Sequence, residues 1–272
     1  MLQINNLTKT FYAGTANEKL AMDHLSLQVE KGEFVTLIGS NGAGKSTLFN
    51  LIAGSILPDG GSVVLDGEEI TFLPEYRRAK QIGRIFQDPM KGTAPSMTVA
   101  ENMALSYQRT SGRKLGFGIS KKERSLFAEK LRTLGLGLEE RLDAPIGLLS
   151  GGQRQAVALL MCTMAAPKLL LLDEHTAALD PATAEKVQQL TEEIVRQGQI
   201  TTLMITHNIS SALRMGTRTL MLDAGRIVMD LQGSQREQMT VPKLLERFGQ
   251  GLDNDRFLLT REQPNVPSND QN

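Results

Sequence analysis

Residues 39–47 read Gly39-Ser40-Asn41-Gly42-Ala43-Gly44-Lys45-Ser46-Thr47, which matches the pattern G-x-x-x-x-G-K-[ST]. The apolar run FVTLIG before this stretch predicts a buried strand, and the helical spacing of apolar residues in TLFNLIAG predicts a helix after it. The glycines let successive backbone N–H groups point inward at phosphate oxygens, and the helix adds its positive N-terminal end. The stretch therefore predicts a phosphate-binding loop between a strand and a helix.

Two positions of this loop have chemical roles of their own. The ammonium of Lys45 would neutralise the β- and γ-phosphates of a nucleotide, and the hydroxyl of Ser46 would ligate Mg²⁺. A glycine-rich turn without a ligand is the competing explanation, but all fixed positions of the motif and both flanks are present. The loop by itself predicts nucleotide binding and nothing more specific.

Two acidic residues, Asp173 and Glu174, end the apolar run LLLLDE. Asp173 can hold Mg²⁺, directly or through water, while Glu174 points to the other side of the strand and can deprotonate the attacking water. A strand simply capped by acids would explain this hexapeptide alone, but that explanation is weak beside a phosphate-binding loop. His207 follows the apolar strand ITTLMIT and could hydrogen-bond the γ-phosphate, although a lone histidine is usually structural.

The segment Leu149-Ser150-Gly151-Gly152-Gln153 opens a helical stretch that ends at Pro167. Ser150 is a good N-cap, and Gln153 stands three residues later as in a capping box, so the segment can be explained as a helix start. The paired glycines would also uncover the first N–H groups of the helix and create a second anion site. One chain with one nucleotide does not need two sites for a γ-phosphate.

These motifs, in this order, resemble the ATP-binding subunit of an ABC (ATP-binding cassette) transporter over about residues 2–248. The resemblance implies an ATPase that uses ATP and Mg²⁺, in which residues 149–153 of one subunit cover the ATP held by the other. The partners it implies are a second ATPase subunit, as a homodimer or pseudo-dimer, and an integral membrane permease. The combination GSNGAGKST, DEHTAALDP and MITHN looks most like bacterial importers that work with an extracytoplasmic binding protein, with a leaning towards amino acids.

Further roles follow from the resemblance, residue by residue. Gln87 in IFQDP resembles the Q-loop glutamine, which contacts Mg²⁺ and the attacking water. Asp180 in Ala178-Leu179-Asp180 resembles the D-loop at the dimer interface, and Thr206-His207 resembles the switch histidine segment. Phe11 resembles the residue that stacks on adenine, with Tyr12 as a competing candidate because either ring would serve. Ser150, Gly151, Gly152 and Gln153 would contact the partner's nucleotide.

The sequence departs from the family pattern at His175, where most members have proline after the catalytic glutamate, and no role is assigned to it. The resemblance also implies that a groove near Gln87 receives a cytoplasmic helix of the permease. A non-transport ABC ATPase of DNA repair or translation is the alternative, but such proteins usually carry long coiled-coil, zinc or second-cassette insertions that this sequence lacks. A P-loop kinase or GTPase is disfavoured by residues 149–153.

The expected fold class is α/β: a P-loop NTPase core with a mainly parallel sheet, an N-terminal antiparallel β subdomain and an inserted α-helical subdomain. The strand-helix-strand pattern of LLLLDE, PATAEKVQQLTEEIVRQ and ITTLMIT predicts the parallel sheet. Helical patterns dominate from about 88 to 168, so the helical subdomain is placed there. Residues 1–248 are expected to form a single ABC ATPase domain, and 249–272 a C-terminal extension with a polar, partly disordered tail.

Composition restricts the partners and the compartment. The 272 residues carry no formal net charge, so nothing indicates the basic surface of a nucleic-acid-binding protein, and no nucleic-acid partner is expected. The sequence has no apolar run of about 18–20 residues and no N-terminal signal pattern. We therefore expect the chain to stay in the cytoplasm, and the resemblance implies that it is peripheral on the cytoplasmic face of the cell membrane. The single cysteine, Cys162, is expected to be a buried structural thiol.

Overall fold

The computed structural model describes residues 1–111 and 118–249. The strands are β1 (Leu2–Phe11), β2 (Lys19–Val29), β3 (Phe34–Gly39), β4 (Gly60–Leu65), β5 (Glu68–Glu69), β6 (Ile82–Ile85), β7 (Leu169–Asp173), β8 (Thr201–Ile205), β9 (Arg218–Asp223) and β10 (Arg226–Gln232). The α-helices are α1 (Lys45–Ala53), α2 (Glu75–Arg78), α3 (Val99–Ser111), α4 (Lys121–Arg132), α5 (Gly151–Thr163), α6 (Pro181–Gly198), α7 (Ile209–Arg214), α8 (Gly233–Glu237) and α9 (Val241–Gly249).

The N-terminal part of the chain forms an antiparallel sheet with the order β2-β1-β4-β5. Its last hairpin turns at Asp66 and Gly67, both of which have positive φ, as a two-residue hairpin loop requires. The Asp-Gly pair thus forms a tight two-residue turn between β4 and β5. This sheet lies over the phosphate-binding segment, since the core that it shares with α1 includes Leu2, Leu65 and Phe49.

The second sheet has the order β10-β9-β3-β8-β7-β6 and is parallel from β9 to β6. Its register places Leu37 beside Ile205, and Ile205 beside Asp173. The carboxyl ends of these strands therefore meet at one edge, as is usual for ligand sites of open α/β sheets. The α/β fold class, with an antiparallel N-terminal sheet beside a mainly parallel one, is confirmed.

Helix α1 is fixed against the sheets by a row of apolar side chains. Leu48, Phe49, Leu51 and Ile52 are almost completely buried. Burying each such side chain stabilises the fold by roughly 1.5–3 kcal/mol before the entropy cost of ordering it. The start of α1, which carries Lys45 and Ser46, therefore has a fixed position relative to the strand ends.

Helices α3, α4 and α5 pack around an apolar cluster separate from that of the sheets. Its members include Val99, Met103, Phe127, Leu131, Ile146 and Leu160. These helices lie within residues 88–168, the range given for the helical subdomain, and the domain boundaries stay a prediction. Most of the predicted tail, residues 250–272, lies outside the described residues. Within the described part of the chain, no helix is both long and apolar enough to cross a bilayer.

Candidate functional site

The loop after β3 curls tightly against its neighbours. Gly39 and Gly44 both have positive φ, and a Cβ at Gly39 would collide with the carbonyl oxygen of Leu222. A Cβ at Gly44 would lie 2.6 Å from the carbonyl oxygen of Ala21. Glycine is therefore required twice, by the backbone conformation and by the close approach of β2 and β9.

Lys45, the first residue of α1, has a buried side chain inside this loop. Its ammonium donates to the carbonyl oxygens of Gly39, at 2.8 Å, and Ser40, at 2.9 Å. Burial lowers the pKa of Lys45, against the attraction of the Glu174 and Asp173 carboxylates. The arrangement holds a cation where the loop encloses it, which is what a phosphate-binding loop requires.

A cavity of about 190 Å³, here called the phosphate cavity, lies over the loop. Its lining includes Phe11, Lys19, Asn41, Gly42, Gly44, Lys45, Ser46, Thr47, Glu174 and His207. Three other residues of the loop do not line this cavity. The carbonyl oxygens of Gly39 and Ser40 accept from Lys45. Ala43 is buried, and its carbonyl oxygen accepts from the Gly225 N–H at 2.9 Å. Tyr12, also described, is 72% exposed and does not line this cavity, so the geometry favours Phe11 as the ring near a bound base.

A second cavity of about 600 Å³, the carboxylate cavity, adjoins the first through Ser46. Ser46, Gln87 and Asp173 all line it, which brings together the three residues predicted to hold a metal. Hydroxyl, amide and carboxylate oxygens are hard ligands of the kind that Mg²⁺ prefers. Among the described residues there is no group of three or more His, Cys, Asp and Glu side chains that could bind a metal. This set of oxygen atoms fits an ion that takes its other ligands from a nucleotide and water.

Asp173, at the end of β7, is mostly buried. Burial raises the pKa of its carboxyl group, while the positive charge of Arg84 works against this rise. An Arg84 guanidinium nitrogen lies 3.5 Å from the Asp173 carboxylate. The aspartate is therefore already in contact with one cation of the protein.

Glu174 and His207 are in direct contact. Glu174 has φ 47°, a left-handed conformation, and its N–H donates to the Ile205 carbonyl oxygen at 3.1 Å. Its carboxylate oxygen Oε1 lies 2.5 Å from His207 Nε2. His207 was predicted to contact a γ-phosphate, which stays a prediction; in the structure its imidazole lies against the Glu174 carboxylate. A carboxylate oriented by an imidazole is a suitable arrangement for accepting a proton from water.

The segment 149–153 starts α5 with the capping box expected from its sequence. Ser150 Oγ accepts from the Gln153 N–H at 3.3 Å, and Gln153 Oε1 accepts from the Ser150 N–H at 3.2 Å. Gly152 has a further structural reason, because a Cβ there would collide with the methyl group of Thr183 on α6. None of the described residues 150–153 lines either cavity. The segment is therefore separate from the nucleotide site of its own chain.

Asp180, the predicted interface residue, caps α6. Its Oδ1 accepts from the Thr183 N–H at 3.1 Å, Pro181 occupies the first helical position, and this capping lowers the pKa of the Asp180 carboxyl. Such a cap stabilises the start of the helix. Asp180 therefore has a structural role whether or not it contacts a partner.

His175, the departure from the family pattern, is buried against α6. Its Nε2 lies 3.1 Å from Thr191 Oγ1, and that hydroxyl donates to the Val187 carbonyl oxygen at 2.7 Å. Because a threonine hydroxyl has one proton to donate, His175 Nε2 must carry the hydrogen of their mutual bond. Burial lowers the pKa of His175 from 6.5 to about 4. His175 lines neither cavity, although it is among the described residues.

This buried histidine makes the stability of the protein depend on pH. In the unfolded chain His175 binds a proton with its ordinary pKa of 6.5, whereas in the folded chain its pKa is about 4. Acidification therefore favours unfolding. The contribution of His175 to the free energy of unfolding is complete above pH 6.5, and it decreases as the pH falls from 6.5 to about 4. Between about pH 7 and about pH 5 the loss is about 2 kcal/mol.

We expect His175→Gln to reduce this loss, because the amide can still donate to Thr191 and does not titrate. Urea unfolding of both proteins at the two pH values measures it. His24→Gln is the matched control, since His24 has a largely exposed side chain. If His175→Gln loses as much stability on acidification as the parent protein, the histidine is not buried as described.

Two residues that sequence reasoning did not select also belong to the site. Arg84 reaches Asp173 from β6, and a charged residue inside the strand pattern IGRIF was the available signal. Arg154 donates to the carbonyl oxygens of Gly147 and Leu149, both at 2.9 Å, and so orders the approach to α5. Both contacts depend on which chain segments lie side by side, which local patterns do not give.

Comparison with known proteins identifies similar sequences across most of the chain. A family model described as ABC transporter matches residues 22–177. The tyrosine transport ATP-binding protein of Clostridioides difficile (strain R20291) is 46% identical over 248 residues, 91% of this chain and 98% of that protein. The methionine import ATP-binding protein MetN of Haemophilus influenzae (strain 86-028NP) is 39% identical over 249 residues, 89% of this chain and 68% of that protein.

Solved structures agree with these sequence matches. A dimeric ATP-binding cassette in a post-hydrolysis state, bound to ADP and Pi, has a TM-score of 0.72 and 30% identity, covering 85% of this chain and 98% of that one. The protein cbiO1 from Clostridium perfringens, part of the ABC transporter complex cbiONQ, has a TM-score of 0.74 and 26% identity, covering 92% and 95%. The family match includes residues 39–47, 150–153 and both carboxylates of the site.

Proposed function

Because this chain belongs to the ABC transporter ATP-binding family and is an ATPase of that family, we propose that two copies close around two ATP molecules and drive a membrane permease for import. The observation that carries the proposal is the separation of the two anion-binding elements. The loop 39–47 lines the phosphate cavity, whereas residues 150–153 lie outside it. Two copies arranged head to tail would bring each Ser150 segment over the partner's ATP.

The roles proposed for the residues of the site follow from their contacts. Lys45 would bind the β- and γ-phosphates, and Ser46, Gln87 and Asp173 would hold Mg²⁺. When bound, Mg²⁺ would offset the charge that develops during phosphoryl transfer. Glu174, oriented by His207, would accept a proton from the attacking water. These assignments are supported by the shared lining of the two cavities.

Dimer closure would depend on the γ-phosphate. That group carries the negative charge that both the loop of one copy and the tip of α5 of the other would bind. Its loss on hydrolysis would remove the bridging contact and let the copies separate, as in other switches that depend on a γ-phosphate. Phe11 would contribute by stacking on the adenine, since its ring lies on the phosphate cavity.

We propose that the permease docks in a groove of about 470 Å³, here called the lateral groove. Its lining includes Glu75, Ala79, Arg84, Phe86, Leu105 and Met161. The groove lies between the sheet and the helical cluster, and Leu105 on α3 leaves an apolar side chain half-exposed at it. A cytoplasmic helix of the permease could bury this side chain. The chain itself would then be cytoplasmic and peripheral on the membrane.

The direction and the substrate class are proposed from the relatives. The tyrosine transport protein and MetN are both named for amino acids, and MetN is named for import. We therefore favour an importer of an amino acid, working with an extracytoplasmic binding protein. The relatives named above are named as transport or import ATP-binding proteins, so they give no support to the alternative of DNA repair or translation.

The docking proposal is tested with Leu105→Glu. A carboxylate in place of the half-exposed leucine would have to be desolvated on docking, so we expect co-purification with the permease to fall by at least about tenfold. The measurement is the amount of chain retained by affinity-tagged permease in detergent. Leu245→Glu is the matched control, as another half-exposed leucine on a helix outside the groove. Equal retention of both variants would exclude this groove as the docking site.

A further inference from the structure

Arg84 lies between the lateral groove, where the permease is proposed to dock, and the carboxylate cavity, where Mg²⁺ is proposed to bind. It occupies β6, the edge strand of the parallel sheet, beside Leu171 of β7. Its side chain lines both the lateral groove and the carboxylate cavity. The same residue therefore faces the surface proposed for the permease and the carboxylate proposed for Mg²⁺.

The Arg84 guanidinium contacts Asp173 and Phe86, but its buried Nε–H is unpaired within the part of the chain that the structure describes. One terminal nitrogen lies 3.5 Å from the Asp173 carboxylate, and the guanidinium carbon lies 4.6 Å from the centre of the Phe86 ring. The buried Nε–H has no hydrogen-bond partner among the described residues. An unpaired buried donor is unfavourable, so a movement of the guanidinium that gives this N–H an acceptor would be favoured.

The charge of Arg84 also bears on the metal site. The guanidinium carries a positive charge, and here it lies beside a mostly buried aspartate. A divalent cation bound at Asp173 would be a second cation on the same carboxylate, at a place where burial weakens screening by water. Arg84 therefore competes with the metal for the charge of Asp173.

We propose that Arg84 holds Asp173 in a state of low metal affinity until a carboxylate on the permease helix binds the guanidinium from the lateral groove. Binding of that carboxylate draws the guanidinium towards the groove, where Nε can also reach an acceptor, and frees Asp173 for Mg²⁺. An acidic partner suits the groove, because Arg84 and Lys91 line it together, against a single acidic side chain, Glu75. The inference rests on the proposed function, since it requires a permease in this groove.

The first test uses the isolated chain with a non-hydrolysable ATP analogue and measures Mn²⁺ affinity by electron paramagnetic resonance. We expect Arg84→Met to bind Mn²⁺ about tenfold more tightly than the parent protein, because the competing charge is gone. Arg77→Met removes the same charge from an exposed position on α2 and should leave the affinity unchanged. Equal affinities for the two variants would overturn the inference.

The second test compares the isolated chain with the complex purified with its permease. The parent protein should bind Mn²⁺ more tightly in the complex, and Arg84→Met should bind it equally tightly in both states. Arg84→Lys keeps the charge but lacks Nε, so it should keep the low affinity in both states. A complex of the parent protein with no gain in Mn²⁺ affinity would overturn the coupling.

The two tests separate this inference from the proposed function. If no permease co-purifies with the parent protein, the proposed function fails and the coupling falls with it. In that case the comparison of Arg84→Met with Arg77→Met still decides whether Arg84 competes with the metal. If the permease binds but Arg84→Met behaves like Arg77→Met, the proposed function stands and the role of Arg84 is wrong.

Discussion

Glu174→Gln is expected to slow ATP hydrolysis by about 10²–10⁴-fold, while the protein retains ATP and accumulates as a closed dimer. The amide has nearly the shape of the carboxylate and can still contact His207, which lies 2.5 Å from the native side chain. It cannot accept a proton from water. Binding and closure should therefore persist, because they depend on the γ-phosphate, whereas its release is blocked.

Phosphate release and size-exclusion chromatography with ATP measure the two effects of this variant. Glu185→Gln serves as the control, because Glu185 is an exposed residue of α6 and lines neither cavity. Hydrolysis at the parent rate would show that another group accepts the proton. A variant that holds ATP but stays monomeric at high concentration would contradict the proposal of a shared site.

Ser150→Arg is expected to abolish hydrolysis while leaving ATP binding within about twofold of the parent protein. The lesion lies at the tip of α5, outside the phosphate cavity of its own chain, so the affected nucleotide would be the one held by the partner. An arginine there is too large for a helix start packed over a phosphate. Fluorescent-nucleotide binding and phosphate release, measured on the same preparation, distinguish the two effects.

The chain offers a matched control for this substitution. Ser120 caps α4 with the same capping box, formed with Glu123, and Ser120→Arg should cost a similar amount of stability, about 1 kcal/mol. Only Ser150→Arg should lose activity. If both variants lose activity equally, the effect is one of folding. If Ser150→Arg stays fully active, each chain has a self-contained site.

The sequence predicted the chemistry of the site better than its contacts. Apolar runs that predict buried strands end at the loop 39–47 and at the pair Asp173 and Glu174. The position of these residues at the strand ends was therefore predictable. The contact between Glu174 and His207 was not predicted. It requires β7 and β8 to be neighbours, and their order in the sheet is a property of the whole fold.

Other differences have local causes. Phe11 was the predicted stacking residue and Tyr12 its competitor in the sequence; β1 ends at Phe11, and Tyr12 turns away with φ 55°. Helix α2 is limited to Glu75–Arg78, because Pro74 precedes it as the N-cap and β6 already begins at Ile82. The burial of His175 could not be predicted, since a residue after a strand end can face either way.

The contact between Gly152 and Thr183 couples the positions of the first turns of α5 and α6. A Cβ at Gly152 would collide with the Thr183 methyl group, so the two helix starts are in close contact and a displacement of one is expected to push on the other. The tip at Ser150 and the turn before Asp180 would therefore reach a second copy in step. In the proposed dimer, these two elements of one subunit would approach the nucleotide held by the other subunit together, and neither would arrive before the other.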